Sequence, residues 1–99
     1  MSAARARRRL VLDTMGAVSG KIEQLLAGQD VTLATLPLPQ EAEPGETPLE
    51  RLQRFRALLG ACLGQLDRGE PLVCGACGAP LPDAEADAMP WATRCRRCT

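Results

Sequence analysis

Two cysteine motifs, CGACG (residues 74–78) and CRRCT (residues 95–99), organise the last part of this 99-residue chain. Together they form the pattern C-x2-C-x17-C-x2-C. Two C-x-x-C pairs separated by about 15–20 residues are typical of structural zinc sites. Each pair is a tight turn that presents two sulfurs, and the segment between the pairs returns the chain to complete a tetrahedron. The pattern therefore predicts one structural Zn²⁺ bound by Cys74, Cys77, Cys95 and Cys98.

Other roles for these four cysteines agree less well with the rest of the sequence. A redox motif of the thioredoxin type is expected near a βαβ pattern, which the sequence does not have. Disulfides are disfavoured in the reducing cytosol, where we expect this chain to reside. Four thiolates leave no coordination position for a catalytic water, and the sequence contains no histidine. We therefore expect a structural metal in a protein that is not an enzyme.

The composition indicates why a metal would be needed. Hydrophobic residues make up 45% of the chain, but there is one Phe, one Trp and no Tyr. A short chain buries a limited apolar area, and one this poor in large side chains needs a staple such as a bound metal. Structural zinc contributes on the order of 10–16 kcal/mol, which is as large as the whole stability of a typical small domain.

The N-terminal residues do not form a complete export signal. Arg8-Arg9 precedes apolar residues, as in twin-arginine signals, but Asp13 interrupts the apolar run after three residues. A signal peptide needs an apolar core of about 7–15 residues. No segment approaches the roughly 20 apolar residues of a membrane span. The sequence therefore predicts a cytoplasmic protein that does not associate with membranes.

Two segments have the apolar spacing of amphipathic helices. The apolar positions of the first are Val11, Met15, Val18, Ile22 and Leu25, and those of the second are Leu52, Phe55, Leu59, Cys62 and Leu66. The tetrapeptide Thr47-Pro48-Leu49-Glu50 has the residues of a capping box, with Pro at the first helical position. Gly28 and Gly69 are predicted to end the two helices.

Two narrow apolar stripes bury each other most simply when the helices pair. We therefore predict a mainly α fold, with an antiparallel two-helix hairpin (a coiled coil) in residues 1–70. A small zinc ribbon with four cysteine ligands is predicted for residues 71–99. Within this scheme, Cys62 packs as a small apolar residue on the second helix. Trp91 anchors the ribbon to the helices.

A long connection, about residues 28–46, joins the predicted helices and contains Pro37, Pro39 and Pro44. Charge is segregated around it, although the net charge of the chain is zero. Residues 29–50 carry five carboxylates and no basic residue, whereas residues 1–21 carry five basic residues and one Asp. In an antiparallel hairpin, the acidic connection would lie at the tip and the basic run near the cysteines.

The residues around the cysteines resemble a known family. Leu66-Asp67-Arg68-Gly69-Glu70 leads into VCGACGAPLP (residues 73–82), a Pro follows at position 90, and the motif ends in CRRC. This arrangement is similar to that of the DksA/TraR-type C4 zinc-finger proteins of bacteria, with the same spacing between the cysteine pairs. The similarity covers roughly residues 58–98. The preceding helices agree with the family in shape and carry little sequence identity.

The resemblance implies that the chain regulates transcription by binding RNA polymerase directly. In this family the zinc-ribbon end docks at the rim of the secondary channel, and a coiled coil with an acidic tip enters the channel. Initiation then changes at selected promoters, often together with the alarmone ppGpp. Carried onto this sequence, the tip carboxylates would be Asp30, Glu41, Glu43 and Glu46, and Arg96 and Arg97 would be candidate partner contacts. The D-x-x-D-x-A tip motif of better-known members is absent here.

Two other functions are compatible with a zinc ribbon of this kind. A nucleic-acid-binding ribbon would use basic residues on phosphates, namely Arg5, Arg7, Arg8, Arg9, Arg96 and Arg97. Zero net charge and the scarcity of aromatic residues argue against this reading, so we do not expect direct DNA binding. A thiol-based redox sensor would lose its zinc when the cysteines are oxidised. Arg94, Arg96 and Arg97 surround the second cysteine pair, and for these three residues compensation of the negative zinc–thiolate centre is the alternative to a partner contact.

Overall fold

The fold is given by a computed structural model, which describes residues 3–38 and 42–98. These residues form three α-helices: α1 (Ala3–Leu26), α2 (Pro48–Asp67) and α3 (Asp83–Ala88). A single turn of 3₁₀ helix follows at Arg96–Cys98. The same residues contain no β-strand, and an isolated antiparallel bridge pairs Val73 with Pro80. The chain is therefore mainly helical, and α1 packs against α2.

The boundaries of α2 follow the sequence signals closely. The Thr47 side chain accepts a hydrogen bond from the Glu50 backbone N–H (3.1 Å), and the Glu50 carboxylate accepts one from the Thr47 N–H (3.2 Å). Both bonds satisfy donors that the first helical turn leaves unpaired, so the predicted capping box is confirmed. Gly28 and Gly69 follow the ends of α1 and α2, with φ angles of 83° and 69°.

The main core lies between α1 and α2 and uses the two predicted apolar stripes. Its buried residues are Val11, Val18, Ile22, Leu52, Phe55, Leu59, Cys62 and Trp91. Cys62 is 3% exposed, and its thiol lies 3.3 Å from the Pro90 carbonyl, to which it donates. Trp91 comes from the cysteine-rich segment and is 2% exposed against the helices. The predicted packing of Cys62 and the predicted anchoring by Trp91 are both confirmed.

Ion pairs bring the start of α1 to the end of α2 and to α3. Arg8 Nε lies 2.8 Å from Asp67 Oδ1, at the last residue of α2. Arg7 Nε lies 2.6 Å from Asp87 Oδ1, and its guanidinium extends a second contact to Asp83 (3.4 Å). The start of α1 therefore contacts α3, which lies between the two cysteine pairs in sequence. No helix of the described residues is long and apolar enough to cross a bilayer.

The connection between α1 and α2 folds back over the helices. The first helix ends at Leu26 and does not extend into residues 31–36. Leu33, Leu36 and Leu38 are half-buried against the main core, and the Pro37 carbonyl accepts a hydrogen bond from Trp91. Residues 33–38 of the connection therefore lie against the core instead of at a tip. Among the predicted tip residues, Glu41 lies outside the described residues.

Replacing Gly60 with Ala is expected to stabilise the protein by about 0.4–1 kcal/mol. Gly60 lies inside α2 at an exposed position, and a Cβ built there meets no atom within 4 Å. The substitution therefore removes backbone entropy from the unfolded chain without a clash. Chemical denaturation of the metal-loaded protein measures the gain. Gly69→Ala is the contrasting variant, because its φ of 69° disfavours any Cβ; a loss of stability at Gly60 would contradict the packing described here.

Candidate metal centre

The four predicted ligands come together in space. The sulfurs of Cys74, Cys77, Cys95 and Cys98 all lie within 4.8 Å of one another. The Cys77–Cys95 and Cys95–Cys98 sulfur distances are 3.7 and 3.6 Å. A tetrahedral ion with metal–sulfur bonds of about 2.3 Å requires sulfurs about 3.8 Å apart. The donor set and its spacing therefore fit a single metal site with four cysteine ligands.

The first cysteine pair is shaped by a short network of backbone hydrogen bonds. The Gly78 N–H donates to the Cys74 carbonyl (2.8 Å), which closes the turn that contains Cys77. The Ala76 N–H points at the Cys74 sulfur (3.4 Å). The Cys74 N–H donates to the Ala79 carbonyl (2.8 Å), beside the Val73–Pro80 bridge. This local turn places the two sulfurs of the first pair on the same side of the chain.

A close backbone approach brings the second pair to the first. The Gly75 N–H donates to the Thr93 carbonyl at 2.8 Å. A Cβ at position 75 would lie 3.2 Å from that carbonyl oxygen, so glycine permits this approach. The 3₁₀ turn then closes through the Cys98 N–H, which donates to the Cys95 carbonyl (3.0 Å). The Arg96 N–H donates to the Glu85 carboxylate of α3 (2.7 Å), which caps this turn.

A small second core supports the cysteines from one side. Cys74 (1% exposed) and Cys95 (7%) pack with Leu81 and with Ala86 of α3. Cys77 is exposed and Cys98 is half-buried. Apolar packing thus fixes the site at Cys74 and Cys95, and solvent reaches it at Cys77 and Cys98. This arrangement suits a structural ion that enters from solution during folding.

The thiols of the cluster differ in how readily they lose a proton. Backbone N–H groups, above all that of Cys95 and then that of Cys77, lower the pKa of the Cys74 thiol to about 6. Hydrogen bonds to the other sulfurs, first that of Cys95, raise the pKa of Cys98 to about 12. The Cys74 thiol therefore ionises more readily than an ordinary thiol, and the Cys98 thiol less readily. A divalent cation supplies the positive charge that four thiolates require, and its binding displaces protons.

The arginines of the second motif lie on the surface around this centre. Arg94, Arg96 and Arg97 are exposed, and Arg96 and Arg97 line an open cleft of about 430 Å³ with Cys77, Glu85 and neighbouring prolines. A divalent ion with four thiolates carries two negative charges, and Glu85 adds one more. Arg96 and Arg97 at this cleft carry charge of the opposite sign, and Arg94 directly precedes the second cysteine pair in sequence. The cluster thus supports charge compensation, while contact of Arg96 and Arg97 with a partner stays a prediction.

The predicted tip carboxylates have different surroundings. Asp30 and Glu43 are exposed. The Glu46 side chain is 8% exposed, and its two oxygens lie 2.8 and 2.9 Å from Nε and Nη2 of Arg54. This bidentate pair, chiefly through its hydrogen bonds, lowers the pKa of Glu46. Glu46 also accepts from the Glu43 N–H (3.2 Å). Glu46 is therefore part of the structure that leads into α2.

Sequence reasoning missed two contacts that organise the connection. The Glu46–Arg54 pair spans the start of α2, and the Trp91–Pro37 hydrogen bond joins residues 54 positions apart. Opposite charges eight residues apart across a helix start could have suggested the first contact. The second has no signal in the local pattern.

Cys62 is expected to stay unmodified when the metal-loaded protein is treated with a thiol reagent at neutral pH. Burial raises the pKa of the Cys62 thiol, and the thiolate is the reactive form. Mass spectrometry after timed alkylation checks this, with modification expected only after unfolding. A Cys62→Ala variant provides the matched control. Rapid labelling of Cys62 in the folded protein would show that the core between α2 and Pro90 opens readily.

Comparison with protein-family models, curated proteins and solved structures gives no match to this chain. The family resemblance therefore rests on the residues quoted above. Any function proposed for the chain depends on that resemblance together with the geometry of the site.

Proposed function

We propose that this chain is a cytoplasmic transcription regulator that binds RNA polymerase directly at its secondary channel. In this proposal α1 and α2 act as an antiparallel coiled-coil hairpin, and residues 71–99 act as a four-cysteine zinc ribbon. The observation that carries the proposal is the convergence of four sulfurs, at the family spacing, immediately after the helix pair. The metal is proposed to be Zn²⁺, because four thiolates in a tetrahedral set favour zinc over harder cations.

The division of the chain into a helical part and a cysteine-rich part supports a two-part binding mode. One core lies between α1 and α2, and a separate small core lies beneath the cysteines. Trp91 and the Arg7 ion pairs join the two. In the proposed complex, the ribbon end contacts the channel rim and positions the helices. Arg96 and Arg97 are the proposed rim contacts, because they are exposed at the ribbon end.

The acidic connection is proposed to act inside the channel. Its carboxylates would sit near catalytic magnesium and bound substrates, where charge strongly affects local fields. Asp30 and Glu43 suit this role because both are exposed, and Glu41 is proposed with them from the sequence. Glu46 is a weaker candidate because its carboxylate is occupied by Arg54. We assign Glu46 a structural contribution to the start of α2.

Direct binding is tested by fluorescence anisotropy of zinc-loaded protein, labelled at its N-terminal amine and titrated with core RNA polymerase. Saturable binding that a known secondary-channel factor displaces is the expected result. Repeating the titration with ppGpp tests whether the alarmone strengthens binding. Absence of saturable binding would overturn the proposal. Binding that the competitor does not displace would show that the chain binds polymerase at a site other than the secondary channel.

The role of the acidic residues is tested separately from docking. The double variant Asp30→Asn, Glu43→Gln is expected to bind polymerase while losing its effect on open-complex lifetime in transcription assays. Glu23→Gln is the matched control, since Glu23 is an exposed carboxylate within α1. Arg97→Gln is expected to weaken binding itself. Full regulation by the double variant would show that Asp30 and Glu43 are not the acting carboxylates, and the same assay on Glu41→Gln would then test the third one.

A further inference from the structure

Trp91 links the cysteine-rich segment to two other parts of the chain. Its ring contacts Phe55 of α2 edge to face, with centroids 6.0 Å apart and an interplanar angle of 62°. Its Nε1–H donates to the Pro37 carbonyl in the connection, at 3.0 Å. The residue is 2% exposed. One side chain therefore contacts the helix pair and holds the segment that crosses it.

Few of the described contacts hold residues 31–38 of the connection in place. Residues 31–38 form no helix or strand. Their backbone bonds are short-range turns, from the Leu36 N–H to the Leu33 carbonyl (3.1 Å) and from the Leu38 N–H to the Leu36 carbonyl (2.9 Å). Leu33, Leu36 and Leu38 are half-buried against the core. Partial burial and local turns offset only part of the entropy of ordering such a segment, so the contact with Trp91 matters for it.

The position of Trp91 depends in turn on the cysteine cluster. Trp91 lies in the 17 residues between the two cysteine pairs. Neighbouring backbone groups hold this segment: the Pro90 carbonyl accepts from Cys62 (3.3 Å), and the Thr93 carbonyl accepts from the Gly75 N–H (2.8 Å). A metal at the four sulfurs pins both ends of the segment. Without it, only the Gly75–Thr93 hydrogen bond and the small second core hold the ends together, and the entropy of closing the loop opposes docking of Trp91.

We propose that metal occupancy of the cysteine cluster controls the connection through Trp91. With metal bound, Trp91 docks on Phe55 and holds residues 31–38 over the helix pair. With metal removed, Trp91 withdraws, residues 31–38 detach, and the apolar surface beneath them becomes exposed. This device does not depend on the identity of the partner, so it stands apart from polymerase binding.

Hydrogen exchange and tryptophan fluorescence test this proposal. Trp91 is the one tryptophan in the sequence, so its emission reports its own environment. Removing zinc from the full chain with a chelator is expected to shift the emission to the red. Amide exchange in residues 31–38 is expected to rise at least about tenfold, since protection there reports local opening. Unchanged exchange in this segment after zinc removal would overturn the proposal.

The contact of Trp91 with Pro37, here called the latch, can be removed while the metal stays bound. Trp91→Phe keeps an aromatic ring against Phe55 and removes the donor to Pro37. In the zinc-loaded variant, faster exchange in residues 31–38 is expected, with one zinc per chain retained and α1 and α2 as protected as before. Leu12→Ala, at an exposed apolar position of α1 (40% exposed), is the control and should leave the segment protected. Unfolding of the whole metal-free chain, with α1 and α2 exchanging as fast as residues 31–38, would overturn separate control of the connection by the metal. Unchanged exchange in zinc-loaded Trp91→Phe would refute the latch.

Discussion

Replacing Cys74 with Ser is expected to abolish metal binding and to unfold the cysteine-rich segment. Cys74 is the most buried ligand at 1% exposure, and it supports the second core as well as the proposed cage. Three thiolates cannot complete a tetrahedral four-cysteine site, and structural zinc in sites of this kind contributes on the order of 10–16 kcal/mol to folding. So large a loss exceeds what the small core beneath the cysteines can replace. Metal analysis after dialysis and a thermal unfolding curve measure the two effects.

Cys62→Ala is the matched control for this prediction. Cys62 is also a buried cysteine, but it lies in the helix core and outside the cluster. Its replacement should keep one metal per chain and reduce stability by about 1 kcal/mol, as a modest core truncation does. If Cys74→Ser kept its metal and its thermal transition, the cluster would not be the staple of this fold. Loss of metal in Cys62→Ala would equally contradict the assignment of four ligands.

The parts of this structure that local patterns encode could be predicted from the sequence. The helix stripes follow from a spacing of three and four residues, because each helical turn returns side chains to one face. The capping box is contained in four consecutive residues. The cysteine cluster follows from the spacing of the pairs, since tight turns and a returning segment leave few other ways to gather four sulfurs.

The parts that depend on the path of an irregular segment could not be predicted. The contact between Trp91 and Pro37 joins two segments without regular secondary structure, 54 residues apart. No periodicity specifies where such a segment crosses a helix pair. The same holds for Glu46, which the charge pattern grouped with the exposed acidic residues and the structure pairs with Arg54. Composition shows that the connection is acidic, but only the packing shows which of its carboxylates are paired and which are exposed.

This distinction affects which carboxylates could serve a partner. A carboxylate held by a bidentate guanidinium has its charge largely neutralised and its geometry fixed. Asp30 and Glu43 keep their exposure, although Glu43 also lies 3.9 Å from the Arg54 guanidinium. The connection therefore combines a fixed anchor at Glu46 with exposed carboxylates on either side of the segment that Trp91 holds. Both the anchoring by Glu46 and the presentation of the exposed carboxylates require that the helix pair beneath the connection is stable.

Replacing Leu59 with Ala is expected to destabilise the protein by about 2–5 kcal/mol. Leu59 is fully buried in the core between α1 and α2. The truncation removes apolar contacts and leaves a cavity that a thin core with few large side chains fills poorly. Since small domains have total stabilities of about 5–15 kcal/mol, the variant should approach the threshold of folding. Chemical denaturation at fixed zinc concentration measures the loss, because free metal shifts apparent stability.

Leu26→Ala removes the same atoms at the end of α1, where the side chain is 69% exposed. Its effect should stay within about 0.5 kcal/mol, as expected for a surface position. The difference between the two variants isolates burial from helix propensity, because both positions change from Leu to Ala within a helix. Equal stability losses would mean that α1 and α2 do not share the core described here. A large loss of stability in Leu59→Ala, with the metal retained, is the expected result. It would show that the helix pair and the metal centre contribute separately to the stability of the chain.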